Sequence, residues 1–376
     1  MGNSTNPAAN AGCTVVVKIG TSSITDLLGG LSRDVIADLA QQVAALSKAG
    51  NRVVVVSSGA VAAGLQALGM ARPNDVLTKQ AVSAVGQSRL MRAWDDAFAA
   101  VGLISGQALL TPNDFFDRTQ YLHARNTFQR LLDLKVVPIV NENDALADDE
   151  LRFGDNDRIA ALVAHLVNAD LLVLLTDMNG LYTDDPRKNT NALLIEKIAA
   201  ITPDVERLAG GTGTDRGSGG MRSKVQAAKI ATMSGVRTVI ANAERPNVLL
   251  DAVRNDLVGT TVLAQERQLN ARKLWIGFAV EATGTLVVDD GARGALIRRS
   301  VSLLAAGVVA VHGDFEEGAA VDIAAVDGTI FARGLVRFDA ASARDAAGKR
   351  SEELGDDAPG VLVHRDDLVV LVSHEL

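Results

Sequence analysis

The sequence predicts an α/β fold in which helices sandwich a doubly wound, mainly parallel sheet, followed by a small, mainly β domain. Continuous apolar runs, rather than alternating ones, are typical of strands that are buried on both faces. Segments with alanine and leucine at helical spacing separate these runs, and such alternation favours a parallel sheet. With 376 residues, the chain is long enough for one large and one smaller domain.

Five β-branched runs are the predicted strands of the large domain. They are Thr14–Gly20, Arg52–Gly59, Lys135–Asp144, Asp170–Asp177 and Val236–Asn242. Each run ends in polar residues or glycine, and ligands of such sheets bind at the carboxyl ends of the strands. We therefore expect the functional site at that edge of the sheet.

Five segments between these runs are predicted helices. They are Arg33–Ala49, Leu77–Ala100, Arg118–Leu134, Asp157–Val167 and Met221–Ser234. Several close on a glycine, as at Gly50, Gly102 and Gly235, and glycine is the residue that most often ends a helix.

After about Val262 the sequence changes to short strand-like runs with glycine turns, which predicts a mainly β domain. We predict a disordered tail over residues 1–12, the large domain over 13–262, a linker over 263–277 and the small domain over 278–376. The formal net charge is −8, and the small domain holds 17 acids against 9 bases. The large domain is therefore close to neutral.

The composition indicates a cytoplasmic globular protein. Hydrophobic residues make up 48% of the chain but aromatic residues only 3%, so the core must be aliphatic. The single cysteine, Cys13, excludes a disulfide framework and favours a reducing compartment. The polar N-terminal residues lack an apolar signal region, and no apolar run is long enough for a membrane span, so we expect no membrane partner.

The first two predicted strands end in candidate anion sites. Lys18 interrupts an apolar run just before Gly20. It is either a strand-end lysine that reaches solvent or a cation held over anion-binding backbone N–H groups. Ser57, Ser58 and Gly59 precede an alanine-rich helix, so they form either an ordinary N-cap or a carboxylate or phosphate site.

The densest polar segment, "VNENDALADDELRFGDNDRIAALVA", follows the third strand. Asp144 lies near the end of that strand, and Asp155, Asn156 and Asp157 begin the next helix. Acids at a helix start are explained by capping and the helix dipole. Alternatively, two acids flanking an asparagine orient lysines, hold a metal or bind an ammonium group.

A glycine-rich stretch, "DRGSGGMRSK", leads into a helix that begins with Lys224 in its first turn. A Walker phosphate loop requires glycine before the lysine and Ser or Thr after it. Ser223 and Val225 stand there instead, so any phosphate site is of another kind. Thr176 and Asp177 end the fourth strand and are placed for a nucleotide.

Together these motifs resemble the glutamate 5-kinases of the amino-acid kinase fold. The motifs run in family order from Val15 to about Asn242: "VVKIGTS", "SSGAVAAG", "VNENDA", "GDND", "LLTDMNGLYTDDPR" and "GSGGMRSK". Downstream, "VDDGARGALIRRSVSLLAAGV" and "DGTIFARGLVRF" resemble the PUA domain of many bacterial members. The glycine loop departs slightly from the family pattern, because Ser218, Arg222 and Ser223 replace threonine, a small residue and threonine.

The resemblance implies transfer of the ATP γ-phosphoryl group to the side-chain carboxylate of L-glutamate, giving L-glutamyl 5-phosphate for proline synthesis. A glutamate carboxylate with a pKa of about 4.3 is already an anionic nucleophile at neutral pH, so no general base is needed. Positive charge and positioning should therefore dominate catalysis. The resemblance also implies feedback inhibition by proline, which we expect to compete with glutamate.

Site residues follow from the same resemblance. Lys18 and Lys224 would stabilise the transferring phosphoryl group, and Asp157 would hold both lysines with support from Asp155. The glutamate contacts would be Ser58, Gly59, Asp144 and Asn156, with Asp144 pairing with the ammonium group. The nucleotide contacts would be Lys18, Thr176, Asp177, Ser218, Gly219, Gly220, Met221, Arg222, Ser223 and Lys224. No protein metal site is expected, because Mg²⁺ would be carried by the ATP phosphates.

The resemblance also implies binding partners, and two alternative functions stay open. We expect a homo-oligomer, either a dimer or a tetramer, and hand-over of the product to glutamyl phosphate reductase. One alternative is a kinase of the same fold that acts on N-acetylglutamate or aspartate, although an acetylated substrate has no ammonium group for Asp144. The other is an RNA-binding protein, but an acidic PUA domain is poorly built to neutralise phosphates, so no nucleic acid is expected.

Overall fold

The chain forms two compact units, Met1–Gln268 and Leu269–Leu376. The computed structural model describes residues 12–26, 29–111, 113–146, 156–210, 220–265, 269–280, 282–350, 352–353 and 360–371. The division lies within the predicted linker, whereas nearly all of the predicted N-terminal tail lies outside the described residues. The bounds of the four predicted parts remain a prediction.

The first unit is built on an eight-stranded sheet. Its strands are β1 (Thr14–Ile19), β2 (Arg52–Ser57), β3 (Ile104–Leu110), β4 (Val136–Glu142), β5 (Leu171–Thr176), β6 (Lys197–Ile198), β7 (Arg237–Asn242) and β8 (Thr260–Val262). They lie in the order β3-β4-β2-β1-β5-β7-β8-β6. All neighbours pair in parallel except β7 and β8, which confirms the mainly parallel sheet.

Helices cover both faces of this sheet. They are α1 (Thr21–Ile24), α2 (Arg33–Lys48), α3 (Ala60–Leu68), α4 (Val76–Ala100), α5 (Asn113–Phe116), α6 (Arg118–Asp133), α7 (Asn156–Leu166), α8 (Pro203–Leu208), α9 (Met221–Met233) and α10 (Val248–Arg254). Helices α2, α4 and α10 share one core cluster with the sheet, whereas α7 and α9 pack against its other face. In the part of the chain that the structure describes, no helix is both long and apolar enough to cross a membrane.

The alternation of side chains along β1 explains where its lysine goes. Val15, Val17 and Ile19 belong to the core cluster that faces α2 and α4. Because successive strand residues point to opposite faces, Lys18 projects towards α7 and α9. The buried ammonium group of Lys18 therefore lies on the face of the sheet that α7 and α9 cover.

Three strands of this sheet were not predicted. The sequence of β3, "ISGQALL", has no continuous apolar run, and most of its residues are exposed or only half-buried. Its position at the sheet edge explains this pattern, because an edge strand need not be apolar on both faces. Strands β6 and β8 have only two and three residues, which is too short for a periodic signal.

The second unit is mainly β, as expected. Its strands are β9 (Gly284–Val288), β10 (Leu303–Leu304), β11 (Val308–Gly313), β12 (Ala320–Ala325), β13 (Ile330–Val336) and β14 (Val361–Val370), in the order β10-β14-β13-β12-β9-β11. Only β9 and β12 pair in parallel. The described helices are α11 (Ala271–Leu274), a π-helical turn (Trp275–Ala279), α12 (Asp290–Arg299), a 3₁₀ turn (Ala305–Gly307) and α13 (Ala340–Ala346). Phe331, Val321 and Ile323 lie in its separate apolar core.

Candidate active site

A buried carboxylate between two lysines forms the centre of the candidate site. Lys18 Nζ lies 2.6 Å from Asp157 Oδ1, and Lys224 Nζ lies 3.1 Å from Asp157 Oδ2. The exposed fractions of Lys18, Asp157 and Lys224 are 3%, 0% and 4%. The three side chains come from β1, the first turn of α7 and the first turn of α9. The structure therefore brings together three of the four residues that the sequence predicts as catalytic, and the fourth, Asp155, lies outside the described residues.

The charge of this cluster follows from its contacts. Burial alone would raise the pKa of Asp157, but the ammonium groups of Lys18 and Lys224 and the hydroxyl of Ser223 lower it to about 2. Asp157 is therefore an anion at neutral pH, and one carboxylate faces two formal positive charges. These three side chains carry a formal net charge of +1 and can therefore attract a further negative charge, such as a phosphoryl group.

Helix capping does not account for Asp157. An acid in the first turn of a helix is stabilised by the helix dipole, which is the plain explanation that the sequence leaves open. However, a capping carboxylate normally accepts from backbone N–H groups of its own helix. In the part of the chain that the structure describes, Asp157 contacts the side chains of Lys18, Ser223 and Lys224, so tertiary ion pairing is its main role.

A second polar group lies at the ends of β2 and β4. Asn156 Nδ2 lies 3.1 Å from Ser57 O, 3.0 Å from Ser58 Oγ and 2.7 Å from Asn141 Oδ1. Gly59 follows at φ +107°, and an added Cβ would lie 3.2 Å from both Ile24 and Leu31. Glycine is thus required at this turn into α3. Asn156 and Asp157 are consecutive, so this group adjoins the lysine cluster.

Helix α4 supplies residues that the sequence analysis missed. Ser83 Oγ donates to Asp144 Oδ2 at 2.8 Å, and Gln87 Oε1 accepts from Asn141 Nδ2 at 2.8 Å. Ser83 and Gln87 are four residues apart and therefore share one helix face. Two polar residues at that spacing in a helix were the available signal. They hold Asp144 and Asn141 in place from outside the motifs.

Predicted nucleotide contacts lie at the same edge of the sheet. Lys18 and Ile19 pair with Leu174 and Leu175, which brings Thr176 level with the end of β1. Thr176 donates to Asp177 at 3.0 Å, and Asp177 is exposed. Gly220 caps α9, and Met221, Arg222, Ser223 and Lys224 form its first turn. Asp155, Ser218 and Gly219 lie outside the described residues.

A cavity of about 440 Å³ opens beside these residues. Its lining comprises Asn179, Leu194, Glu196, Asn242, Glu244, Arg245, Leu257 and Gly259. Asn179 follows β5, and Asn242 ends β7 and donates to Asn179 at 3.0 Å. The volume of this cavity is within the range of about 300–1,000 Å³ for small-molecule sites. Within the described residues there is no cluster of three or more His, Cys, Asp or Glu that could hold a metal ion.

Known proteins resemble the chain over nearly its whole length. The amino acid kinase family model matches residues 14–242, and the PUA domain model matches residues 284–356. A glutamate 5-kinase from Vibrio campbellii is 44% identical over 374 residues, which cover 98% of this chain and 99% of that protein. A glutamate 5-kinase from a Geobacter species is 45% identical over 366 residues, covering 95% and 97%. A carbamate kinase from Giardia lamblia bound to AMP-PNP superimposes with a TM-score of 0.49 at 20% identity, covering 68% of this chain and 99% of that chain.

Proposed function

Because the chain belongs to the glutamate 5-kinases of the amino acid kinase family, we propose that it phosphorylates the side-chain carboxylate of L-glutamate with ATP. The chain also carries a PUA domain, as its sequence predicts. The observation that carries the proposal is the buried Asp157 between Lys18 and Lys224, next to the polar group of Ser58, Asn156 and Asn141.

The chemistry requires one anion to approach another. A carboxylate oxygen of glutamate forms a bond to the γ-phosphorus while the bond from that phosphorus to the β-phosphate oxygen breaks. The bonding electrons leave with ADP, and no proton has to move. The barrier is therefore mainly electrostatic, and fixed positive charge lowers it. Mg²⁺ enters with ATP as part of the substrate and offsets further phosphate charge.

Lys18 and Lys224 supply that fixed charge from two elements of the fold. Lys18 comes from the end of β1 and Lys224 from the start of α9, and both contact one carboxylate. Asp157 thus sets the separation of the two ammonium groups before substrate arrives. Such preorganisation avoids the cost of turning dipoles or ions during the reaction.

Glutamate recognition uses the neighbouring polar group. Asp144, held by Ser83, offers a carboxylate to the α-ammonium group. The N-terminus of α3 at Ser58 and Gly59 favours a carboxylate, and the amide of Asn156 holds Ser58 in place beside it. An N-acetylated substrate would leave Asp144 without a cationic partner, and that difference favours glutamate over N-acetylglutamate.

The nucleotide extends from the lysine cluster across the ends of β5 and β7. Thr176, Asp177 and the residues around Gly220 and Met221 are its proposed contacts. The cavity that Asn179 and Asn242 help to line has room for the nucleoside, and Asn179 is two residues after Asp177 in the chain. Replacing Asn242 by leucine should raise the KM for ATP while the KM for glutamate stays constant.

ADP release with a panel of acceptors tests this function. L-glutamate should support steady ADP release, whereas N-acetylglutamate and L-aspartate should give far slower release at equal concentration. A reaction without acceptor measures the background of ATP hydrolysis. Faster release with N-acetylglutamate or aspartate than with glutamate would assign the chain to another substrate.

We also propose that proline inhibits by occupying the glutamate position. Proline carries the same two charges as the α-end of glutamate, and Asp144 with the Ser58–Gly59 turn suits both. Added glutamate should relieve the inhibition, and Asp144→Asn should weaken both ligands together. Inhibition that glutamate cannot relieve, or that disappears when the chain is shortened after Gln268, would place the proline site elsewhere.

A further inference from the structure

We propose that Ser223 is a positioning residue for phosphoryl transfer, acting through Asp157 on both lysines. The inference rests on the proposed function and deepens it. Ser223 Oγ lies 2.7 Å from Asp157 Oδ2, whereas the sequence pattern places Ser223 only among the nucleotide contacts. Among the described residues, the side chains of Lys18, Ser223 and Lys224 contact this buried carboxylate, and of these Ser223 is the neutral donor.

The two oxygens of Asp157 are held unequally. Oδ1 meets Lys18 at 2.6 Å, whereas Oδ2 accepts from Lys224 at the longer distance of 3.1 Å. Oδ2 also accepts from Ser223, the residue directly before Lys224 in α9. The hydroxyl therefore ties the carboxylate to the helix that carries the more distant lysine. Without it, Asp157 is free to turn towards Lys18 and away from Lys224.

The hydroxyl has two acceptors within reach but only one hydrogen. Ser223 Oγ also lies 2.9 Å from the carbonyl oxygen of Gly220, the kind of contact that serine makes within a helix. A hydroxyl donates a single hydrogen bond, and an ionised acceptor forms a stronger bond than a neutral carbonyl. The shorter contact to the charged Asp157 therefore takes the hydrogen, and the local helix contact loses it.

Three substitutions at this position separate the hydroxyl from the shape of the side chain. Ser223→Thr keeps the hydroxyl, Ser223→Val has the shape of threonine without it, and Ser223→Ala removes it. A hydrogen bond to a charged group corresponds to roughly 10–100-fold in rate when it acts in the transition state. We expect Ser223→Ala and Ser223→Val to lower kcat by about that factor, and Ser223→Thr to keep most of the wild-type kcat. The KM for ATP should change less than about twofold in all three, because a positioning residue does not bind the nucleotide.

A double-mutant cycle tests whether Ser223 acts through Asp157. In the Asp157→Asn background the carboxylate is gone, so Ser223→Ala should cost little further kcat. Equal losses in both backgrounds would overturn the inference, and so would a raised KM for ATP with unchanged kcat. If Asp157→Asn does not fold, the Thr and Val variants decide, because equal kcat in these two would exclude a role for the hydroxyl. Wild-type enzyme that releases no ADP with glutamate would instead overturn the proposed function.

Discussion

Replacing Lys224 by methionine removes one of the two charges that the account assigns to catalysis. Methionine is also a long, unbranched side chain, so it fills a similar space without the charge. In the structure, Asp157 also contacts Lys18 at 2.6 Å, so we expect the carboxylate to stay paired after this change. The formal charge of the three side chains falls from +1 to 0, which leaves no net attraction for a further anion.

The size of the effect follows from Coulomb's law. A unit charge about 4 Å from another is worth about 4 kcal/mol at an effective dielectric constant of about 20. Each ~1.36 kcal/mol changes a rate tenfold, so complete loss of that term corresponds to roughly 10³ in kcat. Removal of a single preorganised donor typically costs roughly 10²–10³. We therefore expect Lys224→Met to lower kcat by roughly 10²–10³.

The assay is ADP release at saturating ATP and glutamate, with melting temperature as the check on folding. Lys229→Met is the matched control, because Lys229 lies on the same helix and pairs with Glu206 at 2.8 Å, away from Asp157. The control should keep kcat within about twofold of wild type, because the pair of Lys229 and Glu206 contacts none of the proposed site residues that the structure describes. A loss below tenfold in Lys224→Met, or an equal loss in Lys229→Met, would refute the reasoning.

Three further outcomes are expected. Ser83→Ala removes the hydrogen bond to Asp144, so steady-state kinetics should show a roughly tenfold higher KM for glutamate and an unchanged KM for ATP. A chain shortened after Gln268 should fold and release ADP, since every proposed site residue precedes that point; a folded but inert product would contradict this. Burial, and then the charge of Arg125, lowers the pKa of His165 from 6.5 to about 4. The folded chain therefore favours the neutral imidazole, whose contribution to the free energy of unfolding is complete above about pH 6.5 and is lost as the pH falls towards 4. Urea unfolding of His165→Gln should therefore show a smaller decline over that range than wild type, and equal declines would contradict the assignment.

The buried part of the sheet could be predicted because burial on both faces leaves continuous apolar runs. Strands β1, β2, β4, β5 and β7 all lie inside the sheet, and each was predicted. Strand β3 lies at the edge and has no such run, so its residues carried no signal of the same kind. Strand β3 is defined by its pairing with β4, and that pairing depends on the tertiary structure.

The candidate site could be predicted only where its residues belong to motifs. Lys18, Asp157 and Lys224 were identified in this way, and the structure joins them. The sequence does not identify Ser83 and Gln87 as site residues, because their partners lie 61 and 54 residues away along the chain. A hydrogen bond over such a separation depends on how α4 packs, and a local pattern does not encode that packing.

Trapping the product tests most directly whether the phosphoryl group goes to the side-chain carboxylate of glutamate. An acyl phosphate reacts with hydroxylamine to give a hydroxamate, whose position marks the carboxylate that was phosphorylated. Wild-type enzyme with ATP, glutamate and hydroxylamine should yield the side-chain hydroxamate in step with ADP, and Lys224→Met should yield almost none. ADP release without hydroxamate, or a hydroxamate at the α-carboxylate, would contradict the account.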